Sequence, residues 1–145
     1  MPEEIIHTHV VLVTAFVRKG DKFLLAKRSS KDSQAGGMWA LPGGKVDEDK
    51  GPEVIENTLK RELVEEVGVE IKDQISYIYS SSFVRSSGHS VINLCFLCDW
   101  KNGEAKPLED HEEVRWFTLE ELVNFSELPK YLKGNVENLS KFLRS

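Results

Sequence analysis

Three glutamates, Glu62, Glu65 and Glu66, fall within five consecutive residues. On a helix they are mutual neighbours at i,i+3 and i,i+4, and like charges at that spacing oppose helix formation by about 0.2–0.5 kcal/mol per pair. Either the trio belongs to a solvated acidic face relieved by Lys60 and Arg61, or it is gathered to hold a cation. The turn of the helix bears on the choice. Ile55, Leu59, Leu63 and Val67 follow one another at i,i+4 and so form a single apolar stripe along the helix. Glu66 comes round to the Ile55–Leu59 edge of that stripe, Glu62 lies just outside it, and Glu65 stands further round on the same side. The carboxylates border the apolar stripe instead of opposing it, which favours a cation. Oxygen ligands without His or Cys suit Mg²⁺ or Mn²⁺, and such ions are commonly shared with substrate phosphates. The expected chemistry is therefore that of a metal-dependent site for a polyphosphate.

The charge distribution agrees. The 145 residues carry a formal net charge of −5, with 24 acids and 19 bases. Asp47–Glu66 holds eight of those acids against three bases, so the remaining chain is balanced at 16 and 16. No diffuse basic face remains for duplex nucleic acid. No apolar run approaches the roughly 20 residues that span a bilayer, and Met1-Pro2-Glu3-Glu4 lacks the basic start of a secretory signal, so a cytoplasmic protein without membrane association is expected. Cys95 and Cys98 lie in the apolar run Val91–Cys98. In a strand, residues three apart point to opposite faces, too far apart for a disulfide, and no second Cys or His pair completes a zinc set. Both are expected buried and reduced.

Size and composition indicate one domain over residues 1–145, with no internal repeat. His9–Val17 and Lys22–Arg28 read as a hairpin around Lys19-Gly20-Asp21. Ser29–Gly37 reads as a loop, and Trp39-Ala40-Leu41 as a short extended piece stopped by Pro42-Gly43-Gly44. The helical pattern runs from Pro52 to Val67 and stops at Gly68. Further strands are expected at Ile75–Arg85, Ser90–Trp100 and Glu113–Thr118. Thr118-Leu119-Glu120-Glu121 carries a capping-box signature, and Tyr131–Leu143 reads as a terminal helix. The class is mixed α/β.

Placed on these elements, Arg61-Glu62-Leu63-Val64-Glu65-Glu66-Val67-Gly68-Val69 resembles the second half of the Nudix box. Leu41-Pro42-Gly43-Gly44-Lys45-Val46 resembles its start, and Glu53 stands eight positions before Arg61, as the first glutamate of the box does. The departure is in length: eight residues separate Gly44 from Glu53 where the box has five, a three-residue extension in the loop Asp47–Gly51. The segment Val114-Arg115-Trp116-Phe117-Thr118-Leu119-Glu120-Glu121-Leu122 also looks like Nudix proteins, so the likeness spans nearly the whole chain.

The resemblance implies an α/β/α sandwich around a mixed sheet, and hydrolysis, with Mg²⁺ or Mn²⁺, of a nucleoside diphosphate linked to another moiety. It implies metal ligation by Glu62, Glu65, Glu66, the Gly44 carbonyl and the loop acid Asp110. Glu62 and Glu65 are also implied as catalytic carboxylates, with Glu62 foremost as the base, Arg61 as the group that orients a box glutamate, and Glu53 as a further catalytic acid. Arg28 resembles a phosphate-contacting arginine. Trp39 and Phe83 are candidate stacking surfaces for a base, with burial in the core the alternative. The substrate expected is a nucleotide or nucleoside diphosphate derivative, foremost a nucleoside triphosphate, as in MutT-like members. ADP-ribose or a capped RNA 5′ end is the alternative, as is a non-catalytic nucleotide-sensing module. Some members read oxidised guanine with an asparagine near the start of the last helix, and Leu128-Pro129-Lys130-Tyr131-Leu132 offers none. A monomer or a homodimer is compatible with all of this.

Overall fold

The computed structural model describes residues 4–31, 36–47 and 50–145. The loops expected at Ser29–Gly37 and Asp47–Gly51 lie partly outside these residues, as do the first three residues of the amino end.

The central strand is β1 (Val10–Lys19), a β-branched and apolar run. One edge pairs throughout with β6 (Ser90–Asn102), parallel, from Val10↔Val91 to Arg18↔Asp99. The other edge is divided. Its carboxyl end pairs with β2 (Lys22–Arg28), and Leu12–Thr14 pair antiparallel with β4 (Gly43–Lys45). β3 (Trp39–Ala40) and β7 (His111–Thr118) flank β2, and β5 (Glu70–Val84) closes the far side on β6. With one parallel pair among antiparallel ones, the seven-stranded sheet is mixed, as expected.

Alternation along the strands builds two cores. Val13, Ala15, Val17, Leu24, Ala26, Phe96 and Cys98 face helix α1 (Val54–Val67), which inserts Leu59, Leu63 and Val67. Phe16, Phe23, Leu25, Cys95, Leu97 and Phe117 face α2 (Leu119–Asn124) and α3 (Lys130–Arg144), which supply Leu122, Leu132, Val136 and Leu139. This is the expected α/β/α sandwich. The capping box closes on α2: the Thr118 hydroxyl accepts from the Glu121 amide at 3.1 Å, and the Glu121 carboxylate accepts from the Thr118 amide at 3.0 Å.

Several boundaries differ from the sequence expectation, three of them for a reason the structure shows. Gly43–Lys45 is a strand, because β1 offers it an edge that β2 does not use. α1 starts at Val54, since Glu53 at its N-cap is left-handed, with φ 58°. β5 begins five residues early because Ile71 pairs with Trp100 of β6, a register that no local pattern announces. Gly68 ends α1 as expected, with φ 71°.

Cys95 and Cys98 are free thiols buried on opposite sides of the sheet. Burial pushes both up to about 12. An aromatic disulfide reagent at pH 8 should label neither thiol in the native protein and both in denaturant, because the thiolate is the reactive form. Among the described residues, no helix is long and apolar enough to cross a membrane.

Candidate active site on helix α1

The site grows from the middle of α1. Leu59, Leu63 and Val67 are fully buried, so the helix cannot rotate, and this locks the direction of each glutamate. Glu66, nearest the apolar stripe, is the most deeply held: its Oε2 accepts from the Gly43 amide at 3.1 Å. Burial raises its pKa to about 7; that bond and Arg28 pull it down, while Glu62 and Glu109 push it up. The Glu62 side chain is 14% exposed and that of Glu65 is 43% exposed. Burial also raises Glu62, with Arg61 opposing and Glu65 and Glu109 adding to the rise.

Arg61 lies between two of the carboxylates. Its Nη1 donates to Glu62 Oε1 at 3.1 Å and to Glu65 Oε2 at 3.2 Å. These are charge-assisted bonds, and they orient both acids.

β4 supplies the facing wall. Val13↔Gly44 and Thr14↔Gly43 bring its backbone against α1. A Cβ on Gly44 would occupy the space of the Glu62 carboxyl group, and one on Gly43 would run into the Val13 carbonyl oxygen. Both positions require glycine for close approach. The result is a backbone cradle against ionisable carboxylates that destabilise one another, an arrangement that a divalent cation would relieve. Among the described residues, no three His, Cys, Asp or Glu side chains group tightly enough to hold an ion alone.

The other expected site residues divide. Arg28, at the end of β2, lies close enough to influence both Glu66 and Tyr131. Glu53 is exposed at the amino end of α1, roughly 12 Å along the axis from Arg61. Phe83 is half-exposed on β5 opposite Val91. Trp39 is a correction: it is 3% exposed and packs edge-on against Phe117 and Phe125, with centroids at 5.8 and 5.7 Å, so no ring face is open to a base. Pairing of β3 with β2 turns it inward.

Asp110 is exposed, and its backbone carbonyl accepts from the Ser29 amide at 2.7 Å. Its neighbour Glu109 is exposed as well, and its charge acts on Glu62 and Glu66. Glu109 and Glu53 are the two non-glycine residues with positive φ among those described, at 51° and 58°. The resemblance pointed to Asp110, and nothing in the local spacing separates it from the adjacent Glu109. Tyr131, at the start of α3, receives no role in the sequence reading. The residue as a whole is more than half-exposed, yet its phenol is desolvated enough for its pKa to be raised, and Arg28 opposes that rise.

The family model of the NUDIX domain matches residues 7–140. The chain is 36% identical over 114 residues to the ADP-ribose pyrophosphatase of Methanocaldococcus jannaschii, covering 77% of this chain and 63% of that protein, a little under two thirds of its length. It is 31% identical over 84 residues to the 8-oxo-dGTP diphosphatase of Proteus vulgaris, covering 58% of this chain and 70% of that one. The crystal structure of a MutT protein from Methanosarcina mazei Go1 superposes with a TM-score of 0.78 at 25% identity, over 98% of this chain and all of that one.

Proposed function

The chain belongs to the NUDIX hydrolase family, and from that premise we propose that it hydrolyses the diphosphate linkage of a nucleoside diphosphate derivative, foremost a nucleoside triphosphate, with Mg²⁺ or Mn²⁺. The observation that carries this is the cradle itself: Glu62 and Glu66 set against the glycine backbone of β4, with Glu66 held by the Gly43 amide.

Glu62, Glu65, Glu66, Glu109 and the Gly44 carbonyl are the groups that would hold the cation. When bound, it supplies positive charge that offsets the charge of the polyphosphate and of the attacking oxygen. The remaining steps fall to the chain. Arg61 keeps Glu62 and Glu65 in place. Glu62, partly shielded and oriented by Arg61, receives the proton as water adds to phosphorus. The new P–O bond forms as the bridging P–O bond breaks, and the leaving phosphate departs with the bridging oxygen. Arg28 contacts the phosphate chain, and the open ring of Tyr131 beside it stacks on the base.

ADP-ribose is a second substrate to consider, favoured by the name of the Methanocaldococcus jannaschii relative. The test is chromatographic detection of the nucleotide products formed from nucleoside triphosphates, ADP-ribose and dinucleoside polyphosphates with Mg²⁺, for the native protein and for Glu65→Gln. A nucleoside triphosphate should give the highest kcat/KM, and Glu65→Gln should lower it about 100-fold. Absence of turnover on the whole panel would refute hydrolysis, and an unaffected variant would refute the site.

A further inference from the structure

Glu109 stands on the segment 103–110, which connects β6 to β7. This segment is a strap laid over the carboxyl end of α1. A helix leaves its last carbonyls without helical partners, and the strap supplies donors to two of them. The Lys106 amide donates to the Val67 carbonyl at 2.9 Å, and the Leu108 amide donates to the Glu66 carbonyl at 3.0 Å. Glu109 therefore follows directly on the residue tied to the backbone of Glu66. Its own backbone is left-handed, at φ 51°, and its charge acts on both Glu62 and Glu66.

The root of the strap is held with equal care. Gly103 has φ 93° and lies so close to the end of α1 that a Cβ would run into the Gly68 carbonyl oxygen and stand 3.3 Å from the Val69 Cα. Its carbonyl accepts from Trp100 Nε1 at 2.7 Å. The indole is itself braced, with the Lys19 ammonium 4.1 Å from the Trp100 ring centroid. One side chain of β6 thus clamps the point where the chain leaves the sheet and turns along α1.

We propose that Trp100 and Gly103 are positioning residues for Glu109: they set the register of the strap on the end of α1, and that register decides whether the loop carboxylate reaches the cation site. Neither touches substrate or cation. The proposal rests on the reading of Glu109 as a member of that site. It assigns a role in the chemistry to a tryptophan that would otherwise pass as packing.

The test uses Trp100→Phe, which keeps an aromatic ring, removes the N–H donor and adds no atom. Gly103→Ala serves as a second, more disruptive variant. Mn²⁺ affinity, followed by the electron paramagnetic resonance of free Mn²⁺, is read without turnover, and kcat and KM are measured beside it. Trp100→Phe should weaken Mn²⁺ binding about tenfold, the scale of outer-shell partners, and lower kcat with little change in KM. In a Glu109→Gln background, the same substitution should leave Mn²⁺ affinity unchanged, because the group it positions is gone. An equal loss in both backgrounds, or native affinity in the single variant, overturns the positioning role. Should Glu109→Gln itself bind Mn²⁺ as the native protein does while Glu65→Gln does not, it is the assignment of Glu109 that fails, and the two failures are thereby distinguished.

Discussion

Glu66→Gln should lose at least about 100-fold in turnover and yet melt at a higher temperature than the native protein when both are free of divalent cation at pH 8. Both effects follow from one carboxylate. Burial raises Glu66 from 4.5 to about 7, so the folded protein prefers it protonated. A group whose folded pKa lies above its unfolded one stabilises fully below the unfolded value, and that contribution is lost as pH rises through the folded value. For Glu66 the window runs from about 4.5 to about 7. Above it, the cation-free fold carries a buried charge costing on the order of 2–3 kcal/mol. The amide of Gln removes the charge while its oxygen can still accept from the Gly43 N–H. A gain of roughly 5 °C at pH 8, vanishing at pH 4, is the expected result by thermal melting. Mg²⁺ should reverse the order, stabilising the native protein more at pH 8 than at pH 5 and the variant hardly at all. A variant no more stable than the native protein at pH 8 would show that Glu66 is not strained in the cation-free fold.

Two adjacent glycines should respond to the same substitution in opposite ways. Gly43→Ala sets a methyl group against the Val13 carbonyl oxygen, with the Thr14 Cα at 2.8 Å, and both belong to the central strand. β1 is hydrogen-bonded on both edges and cannot yield, so a loss of at least about 3 kcal/mol is expected, seen as a fall in the urea midpoint. Gly44→Ala meets the carboxyl group of Glu62, a side chain that can swing away. Its midpoint should stay within about 0.5 kcal/mol of native, while turnover falls by about two orders of magnitude because Glu62 leaves its place beside Arg61. Equal damage to stability by the two would mean that Glu62 is held as rigidly as backbone.

The helical spacing read from the sequence ranked the three glutamates by their distance from the apolar stripe, and the structure holds them in that order: Glu66 deepest, Glu62 shielded, Glu65 half-open. That ranking was legible because a helix is built from local spacing, and the buried Leu59, Leu63 and Val67 leave it a single orientation. The opposite facing of Cys95 and Cys98 was legible for the same reason, since it follows from the period of a strand.

Positions that depend on a distant partner were not legible. Trp39 turns inward because β3 pairs with β2, and nothing in Trp39-Ala40-Leu41 states that pairing. Gly43–Lys45 reads as a turn by itself and becomes a strand only where β1 leaves an edge open.

Residue types and their spacing thus determined the family, and through that resemblance the two-layered cover of the sheet, while the acidic face of α1 followed from periodicity within one segment. The tertiary structure alone laid the strap that carries Glu109 and Asp110 on the end of α1. Two of its amides are bonded to the last carbonyls of the helix, a contact between segments some forty residues apart in the chain that no local spacing announces.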